Sequence, residues 1–369
     1  MFTLLIFLAI LGILIFVHEF GHFFLAKIFK VKVEEFGFGF PPRIFSFKKG
    51  ETIYSLNWIP LGGFVRIKGE EGGEKEPDSF ISKKIWQRIL IVSAGVLMNI
   101  FLTVFLFSVG YLWGFPQIIE EGKISSFAQI RNEEIKVVTV LENTPAKEKG
   151  IELGDVILEV DNQKFSNLEN LAEYIDKKRG ERIQIKIKRK EEIKEIELVP
   201  LLLKETGKGG IGVGMIKTGI VSYPFYLAFY KGVEETVLLT GEIFKALGRI
   251  FKDLFVTREV LLEVTGPIGI AVLTGEVARQ GFLYILQFIA LISLNLAIIN
   301  FFPFPALDGG RFLFLMIEKI RKKPIDRKIE ALIHSIGFAL LMVLVILVTY
   351  QDILRFGEKF KVFFPWFKK

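Results

Sequence analysis

FVHEFGH, residues 16–22, decides how this chain must be read. Two histidines and a glutamate stand in a segment otherwise suited to lipid, since the residues before them read MFTLLIFLAILGILI. Ionisable groups inside an apolar span are costly, and by default they mark function. The apolar run continues through Phe23, Phe24 and Leu25 and stops at Lys27. At 1.5 Å per residue, His18 lies roughly 20–25 Å into the span, within the hydrocarbon region and nearer its second end.

The chain has 369 residues, 51% of them hydrophobic and 24% charged, with a mean hydropathy of +0.43. That combination calls for membrane spans together with a polar domain. A span takes about 20 apolar residues, and four segments qualify. They lie at 2–26, within 89–119, within 280–303 and at 331–351. The first could also be read as a signal peptide, but it has no basic start and its apolar run passes any cleavage site. The absence of cysteine excludes disulfides and thiolate metal sites. The net charge of +7 comes from Lys and Arg that flank apolar spans. No basic stretch interleaved with aromatics suggests nucleic-acid binding. Lys27, Lys30 and Lys32 after the first span, and the basic residues of 303–330, belong in the cytoplasm. The N-terminus, the 115–279 region and the C-terminus then lie outside.

Between the first two spans, FGFGFPPRIFSFKKGETIYSLNWIPLGGFVRIKG reads as short strands with a turn near Lys49–Gly50. Ile53, Tyr54, Leu56, Trp58, Ile59, Phe64, Val65 and Ile67 make both strand faces apolar. A sheet of that kind is buried in protein or enters the membrane, where its backbone must be covered or paired. Residues from about 120 to 216 alternate strands with a short helix, NLENLAEYIDKK, as a compact polar domain does. Residues 223–256 carry apolar groups at helical spacing and read as amphipathic helices on the outer membrane surface.

HEFGH fits H-E-x-x-H. On a helix, positions i and i+4 share a face, so His18 and His22 can grip one zinc ion. Glu19 then stands close enough to act as general base on activated water. A catalytic zinc needs three protein ligands and an open position. The third is His334 or a carboxylate, and Asp308 stands out among the carboxylates. It follows NFFPFPAL (300–307), where two prolines interrupt the third span and free its carbonyls. Such a broken end must face protein or a wet cavity. Gly309 and Gly310 then allow close backbone approach. On these residues alone, Asp308 could equally cap a helix.

HEFGH in the first span, LDGG after NFFPFP in the third, and TPAKEKGIELGDVILEVDNQ between them resemble the bacterial site-2 protease family, the intramembrane zinc metalloproteases of the RseP type. The resemblance covers essentially the whole chain, with the motifs in the family's order. It implies zinc held by His18, His22 and Asp308, which moves Asp308 ahead of His334. It places the catalytic glutamate at Glu19 and an asparagine for substrate handling at Asn300. A membrane-reentrant β element of the family is matched by IPLGGFVRIKG. From it we expect Gly62, Gly63, Phe64 and Val65 at a strand edge that binds extended substrate by β-augmentation. Two departures stand out: a single PDZ-like stretch where RseP has two, and Val96 in SAGVLMN where the family often has proline, with Asn99 retained.

The expected fold is an α-helical membrane protein with four transmembrane helices, a membrane-associated β element and an inserted extracytoplasmic PDZ-like α+β domain. Its parts would be 1–114 with HExxH and the β element, 115–216 as the PDZ-like domain, 217–279 as surface helices, and 280–369 with NxxPxPxLDG. The expected function is cleavage of transmembrane segments in membrane proteins already trimmed, such as anti-sigma factors and remnant signal peptides, at the bacterial inner membrane. Expected partners are those substrates, membrane lipid and a peptide or protein ligand at the PDZ groove. The competing readings are a PDZ membrane scaffold with a structural metal site, and a tethered protease acting on soluble substrates.

Overall fold

The computed structural model describes residues 2–70, 72, 76–120, 124–125, 127–189, 192–203, 207–253 and 265–363, leaving aside the side chains of 2, 61, 251 and 358–363. It divides into two units, residues 1–109 with 229–369, and residues 110–228.

Among the described residues, four helices are long and apolar enough to cross a membrane: Thr3–Ile28, Ile85–Trp113, Phe282–Phe301 and Arg327–Gly357. The first two belong to α1 (Phe2–Ile28) and α2 (Ile85–Trp113). Between them lie β1 (Val33–Lys49) and β2 (Thr52–Ile67), turned at Gly50–Glu51. The strands are longer than the sequence suggested, because each folds back and contributes two segments. Residues 33–38 pair antiparallel with 63–67, from Val33↔Ile67 to Phe38↔Gly63. The same segment meets 53–56 on its other side, where the register rises together from Glu35↔Ile53 to Phe38↔Leu56, so these two run parallel. Residues 45–49 close the far side against 52–56. Four strand segments therefore lie side by side, with 63–67 at one edge. The chain bends at Gly39 (φ +79°) and Gly62 (φ +137°), conformations that favour glycine.

Polar groups inside this sheet are paired. Thr52 Oγ1 donates to the Val33 carbonyl at 2.8 Å, and Asn57 Nδ2 to the Gly39 carbonyl at 3.0 Å. The buried Glu35 accepts from Ser55 Oγ at 2.7 Å and from Arg43 at 2.6 Å. The sheet climbs along α1. Phe36 packs on Phe23 and Phe16, with ring centroids 5.1 and 5.6 Å apart. The Phe38 ring fills the space a side chain at Gly12 would need. From Phe23 to Gly12 is a rise of about 16 Å. The end that climbs is apolar and exposed, with Ile44, Phe45, Trp58 and Ile59 uncovered.

The second unit holds β3 (Phe115–Ile118), β4 (Gln129–Val140), α3 (Pro145–Glu148), β5 (Val156–Val160), α4 (Leu168–Lys177), β6 (Ile183–Arg189), β7 (Glu192–Leu198), β8 (Leu201–Leu202), β9 (Gly209–Gly210) and β10 (Val213–Ser222). Six strands form an antiparallel sheet in the order β3-β10-β4-β5-β6-β7. The alternation in IQIKIKR buries Ile183, Ile185 and Ile187 against Leu171 and Ile175 of α4. Asn167 caps α4 by accepting from the Glu169 amide at 2.6 Å. β10 continues past residue 216, because its second half is held between β3 and β4, with Val221 opposite both Phe115 and Ile130.

The remaining helices are α5 (Phe225–Lys252), α6 (Pro267–Gln280), α7 (Phe282–Phe301), α8 (Asp308–Arg321) and α9 (Arg327–Phe363). The stretch read from sequence as surface helices, 217–279, thus divides among a strand and two helices, and its residues 254–264 lie outside the described residues. α5 crosses α2 closely at Gly232, where a Cβ would stand 2.3 Å from Ser108 Oγ. α6 packs against α1, α7 and α9 instead of lying free. Its small residues Gly269, Ala271 and Gly275 are buried. Its first turn is held by the buried Asp352 of α9, which accepts from the Gly266 and Gly269 amides at 3.1 and 2.8 Å.

In the second unit, Arg189 donates to both Asp155 oxygens at 2.8 Å, and the Glu152 amide donates to the same carboxylate. Burial pushes the Asp155 carboxyl up, but Arg189 and the Glu152 amide together hold it below the usual carboxylate range. A depressed carboxyl contributes stability above its unfolded pKa of about 3.9, and that stability is lost as pH falls through the folded value. Arg189→Ala should therefore destabilise this unit by ~3 kcal/mol near neutral pH. The difference from wild type should fade in acid. Amide hydrogen exchange of β5 and β6 in the full chain checks this, and unchanged exchange would refute it.

Candidate metal centre

α1 sets His18 and His22 one turn apart on a buried face, with their Nε2 atoms 3.3 Å from each other. Asp308 comes to the same point from the far end of the chain. Its Oδ2 lies 2.9 Å from His18 Nε2 and 3.4 Å from His22 Nε2. The three candidate ligand atoms all lie within 4.8 Å of one another.

The NFFPFPALDGG stretch explains how Asp308 gets there. α7 ends at Phe301, and residues 302–307 form a compact loop in which Phe304 N–H donates to Phe302 O and Leu307 N–H to Phe304 O. Ala306 sits in the left-handed region at φ +79°. α8 starts at Asp308, with Leu307 as its cap residue and no side-chain cap bond. Asp308 is thus aimed at the histidines and is not the cap that its sequence position also allowed. A Cβ on Gly309 would fall 2.2 Å from the Phe302 carbonyl oxygen, and one on Gly310 2.4 Å from that of Phe304. Only glycine permits this tight start.

His334, the other third-ligand candidate, is engaged elsewhere. Its Nδ1 accepts from the Ala306 amide at 2.9 Å. Gly337, one turn further along α9, lets that helix approach Pro305 closely. α9 therefore grips the loop that carries Asp308, and His334 is the anchor.

The site suits a zinc ion. His22 Nδ1 donates to the Ile91 carbonyl at 2.8 Å, so the neutral ring keeps its lone pair on Nε2, facing Asp308. A Cβ on Gly95 of α2 would lie 2.4 Å from His22 Nε2 and 2.6 Å from His18 Nε2. The space beside the two nitrogens is kept clear by the missing side chain. Two imidazoles and a carboxylate are a donor set for zinc with an open position. Among the described residues, no fourth His, Cys, Asp or Glu joins the cluster, as a closed structural site would need.

Glu19 opens with His22 and Asp308 onto a cavity of about 500 Å³ that Phe64 and Val65 also line. Gly63 passes directly beside Glu19, since a Cβ there would be 3.5 Å from Glu19 Cγ. The edge segment expected to bind substrate thus borders the cavity through Phe64 and Val65, with Gly62 and Gly63 adjoining. Asn300, in the last turn of α7, is not among the cavity-lining residues. Glu70 and Arg311 form an ion pair at the cavity wall that motif reading did not anticipate. Gly95 and Ile91 were missed as well. Their only signal was the small and polar series Gly95, Asn99, Thr103 at four-residue spacing in an apolar helix.

The profile of peptidase family M50 matches residues 6–344. The zinc metalloprotease RasP of Geobacillus kaustophilus is 30% identical across 96% of this chain and 98% of its own. The regulator of sigma-W protease RasP of Bacillus subtilis is 30% identical, with the same coverage. A Clostridium perfringens relative reaches 37% identity across 92% of this chain and 95% of its own. Among solved structures, the PDZ domain of an SdrC-like protein from Listeria innocua is 29% identical over 22% of this chain and 92% of that chain, with a TM-score of 0.21. The chain belongs to peptidase family M50, the site-2 protease family that HEFGH and LDGG anticipated. It is a membrane zinc metalloprotease, and the reading as a non-enzymatic scaffold falls away.

A side chain at position 95 would occupy the space beside both imidazole nitrogens. Gly95→Val should weaken zinc binding on the order of 10–100-fold while leaving the helices intact. Metal content of the purified chain, set beside its circular dichroism, checks this. Full zinc occupancy in the variant would contradict the assignment.

Proposed function

We propose that this chain cleaves transmembrane segments of membrane proteins at a zinc site formed by His18, His22 and Asp308, with Glu19 as the general base. The observation that carries this reading is the convergence of the three candidate ligands beside Glu19, at the wall of a cavity bordered by an edge strand.

Bound zinc supplies Lewis acidity and lowers the pKa of water to about 7. The Glu19 carboxylate takes the proton from attacking water and returns it to the departing amine. The rest of the task is presentation of substrate. A helix in lipid keeps its own backbone paired, so its peptide bonds must be unwound before attack. Segment 63–67 pairs with 33–38 on one side, and among the described residues no strand pairs with its other side. Backbone groups on that edge hold an unwound segment as an added strand along Gly62, Gly63, Phe64 and Val65, with Gly63 beside Glu19. Asn300, close in sequence to the loop before Asp308, contacts the substrate chain as it enters.

The substrates in this reading are membrane proteins already trimmed by another protease, namely anti-sigma factors and remnant signal peptides. The name of the Bacillus subtilis relative, a regulator of sigma-W protease, points the same way. Lys27, Lys30, Lys32 and the basic residues of 303–330 support a cytoplasmic side for those loops. The 115–216 region is then an extracytoplasmic PDZ-like domain whose groove takes a peptide or protein ligand, and the two termini share its side of the bacterial inner membrane.

Glu19→Gln tests the mechanism. The variant should retain zinc and lose cleavage of a model transmembrane substrate by about 10²–10⁴-fold. Cleavage at the wild-type rate would overturn the role given to Glu19.

A further inference from the structure

SAGVLMN, residues 93–99 of α2, takes no part in the chemistry above, yet it backs the metal centre. Ile91, Gly95 and Asn99 are spaced by four residues and form one stripe of the helix. α1 and α2 approach closely here, since a Cβ on Gly21 would fall 2.4 Å from the Ala94 carbonyl oxygen. Each imidazole turns its far nitrogen to this stripe. His22 Nδ1 meets the Ile91 carbonyl at 2.8 Å, and His18 Nδ1 meets the Asn99 side-chain amide at 3.3 Å.

The two contacts differ in sense. Ile91 offers an acceptor, which leaves the His22 Nε2 lone pair free. Asn99 turns Nδ2, a donor, toward His18. With the amide placed so, His18 Nδ1 would accept and the ring proton would sit on Nε2, 2.9 Å from Asp308 Oδ2. A ring in this tautomer cannot ligate a metal through Nε2. Meanwhile Asn99 Oδ1 is fully buried and has no hydrogen-bond partner. A buried polar oxygen without a partner calls for an explanation.

One rotation resolves both features. The oxygen and nitrogen of an amide are nearly isosteric, so a half-turn of the group exchanges them in place. Oδ1 then faces His18 Nδ1 and accepts its proton, and Nε2 is left with a lone pair. The backbone of Asn99 need not move, and it is fixed on both sides. Its carbonyl accepts from Thr103 Oγ1 and from Ser293 Oγ of α7, each at 2.9 Å.

We propose that Asn99 is a positioning residue for the zinc site: its Oδ1 receives the His18 Nδ1 proton and so leaves His18 Nε2 free to hold the metal. The proposal rests on His18 being a ligand. It makes α2 the support for both histidines, through the Ile91 carbonyl for His22 and the Asn99 side-chain amide for His18.

The test measures zinc affinity of the purified full chain by competition with a chelator, independently of proteolysis. Asn99→Leu, of similar volume, should weaken zinc binding 10–100-fold, the usual effect of removing such a partner. Asn99→Asp supplies an acceptor in the same place and should bind at least as tightly as wild type. Affinity within twofold of wild type for Asn99→Leu, or an Asn99→Asp affinity as weak as that of Asn99→Leu, overturns the proposal. His18→Ala separates the two levels of inference, because unchanged zinc binding there refutes the ligand set itself. A measurement on wild type needs no variant to fold. Nitrogen-15 spectra of the three histidines should place the His18 proton on Nδ1 in the zinc-bound chain. A His18 proton on Nε2 in that form overturns the proposal.

Discussion

The approach of Asp308 to His18 and His22 joins positions 290 residues apart, and the rest of the membrane unit is arranged to permit it. Three polar side chains must meet where lipid would otherwise surround them, so each needs protein on every side. α1 supplies the two rings, α2 supplies their outer partners, and the 302–307 loop supplies the carboxylate. α9 then holds that loop through His334 and Gly337. Glycines at 21, 95, 309 and 310 let the backbones draw close enough for these short side chains to touch. Remove the close approach and the three groups are simply buried charges and dipoles in a poor solvent.

The substrate side follows from the same constraint. A transmembrane segment arrives with its backbone already satisfied, and attack on one peptide bond requires that pairing to be exchanged for another. In the proposed reading the folded-over sheet offers the exchange. Its two middle segments are paired on both sides, which fixes the sheet, while segment 63–67 has, among the described residues, a strand on one side alone. Glu35 stiffens the arrangement from within. Its carboxylate lies 2.6 Å from Arg43 and 3.6 Å from Arg66, and so ties the edge segment to the fold at the other end of β1. The buried carboxylate is tolerable because both guanidinium groups and Ser55 surround it.

Sequence carried the chemistry further than the architecture. HEFGH and LDGG were legible because ionisable residues in apolar spans have few innocent explanations, and because helical spacing fixes which of them share a face. The span boundaries were legible for the same reason that hydropathy works at all. The doubling-back of β1 and β2 was not, since apolarity on both faces gives no register, and two bent strands read as several short ones. β10 was cut short at 216 because its second half, IKTGIVS, lacks strict alternation, being covered by β3 and β4 at its edges and buried at its end. α6 falls within the 217–279 stretch read as surface helices, although the amphipathic pattern was seen only over 223–256. Its small residues are what let it pack between other helices, and smallness leaves little trace in hydropathy. His334 looked like a ligand because a lone histidine in a span must do something, and its task turned out to be holding the loop.

A common device links these cases. At membrane depth the protein repeatedly satisfies one element's unpaired backbone with a side chain from another. Asp352 of α9 takes the first amides of α6, His334 takes the amide of Ala306, and Ser293 and Thr103 take the carbonyl of Asn99. In water each of these groups could be solvated, and the partner would matter little. In lipid each bond excludes an alternative packing, because separating the helices would strand a donor or an acceptor. The catalytic constellation is thus held by many ordinary hydrogen bonds whose energetic value comes from the solvent around them. Asn99 shows what such a bond can decide: its side-chain amide lies 3.3 Å from His18 Nδ1, and an oxygen in that place would fix the ring proton on Nδ1 and leave Nε2 free to hold a metal.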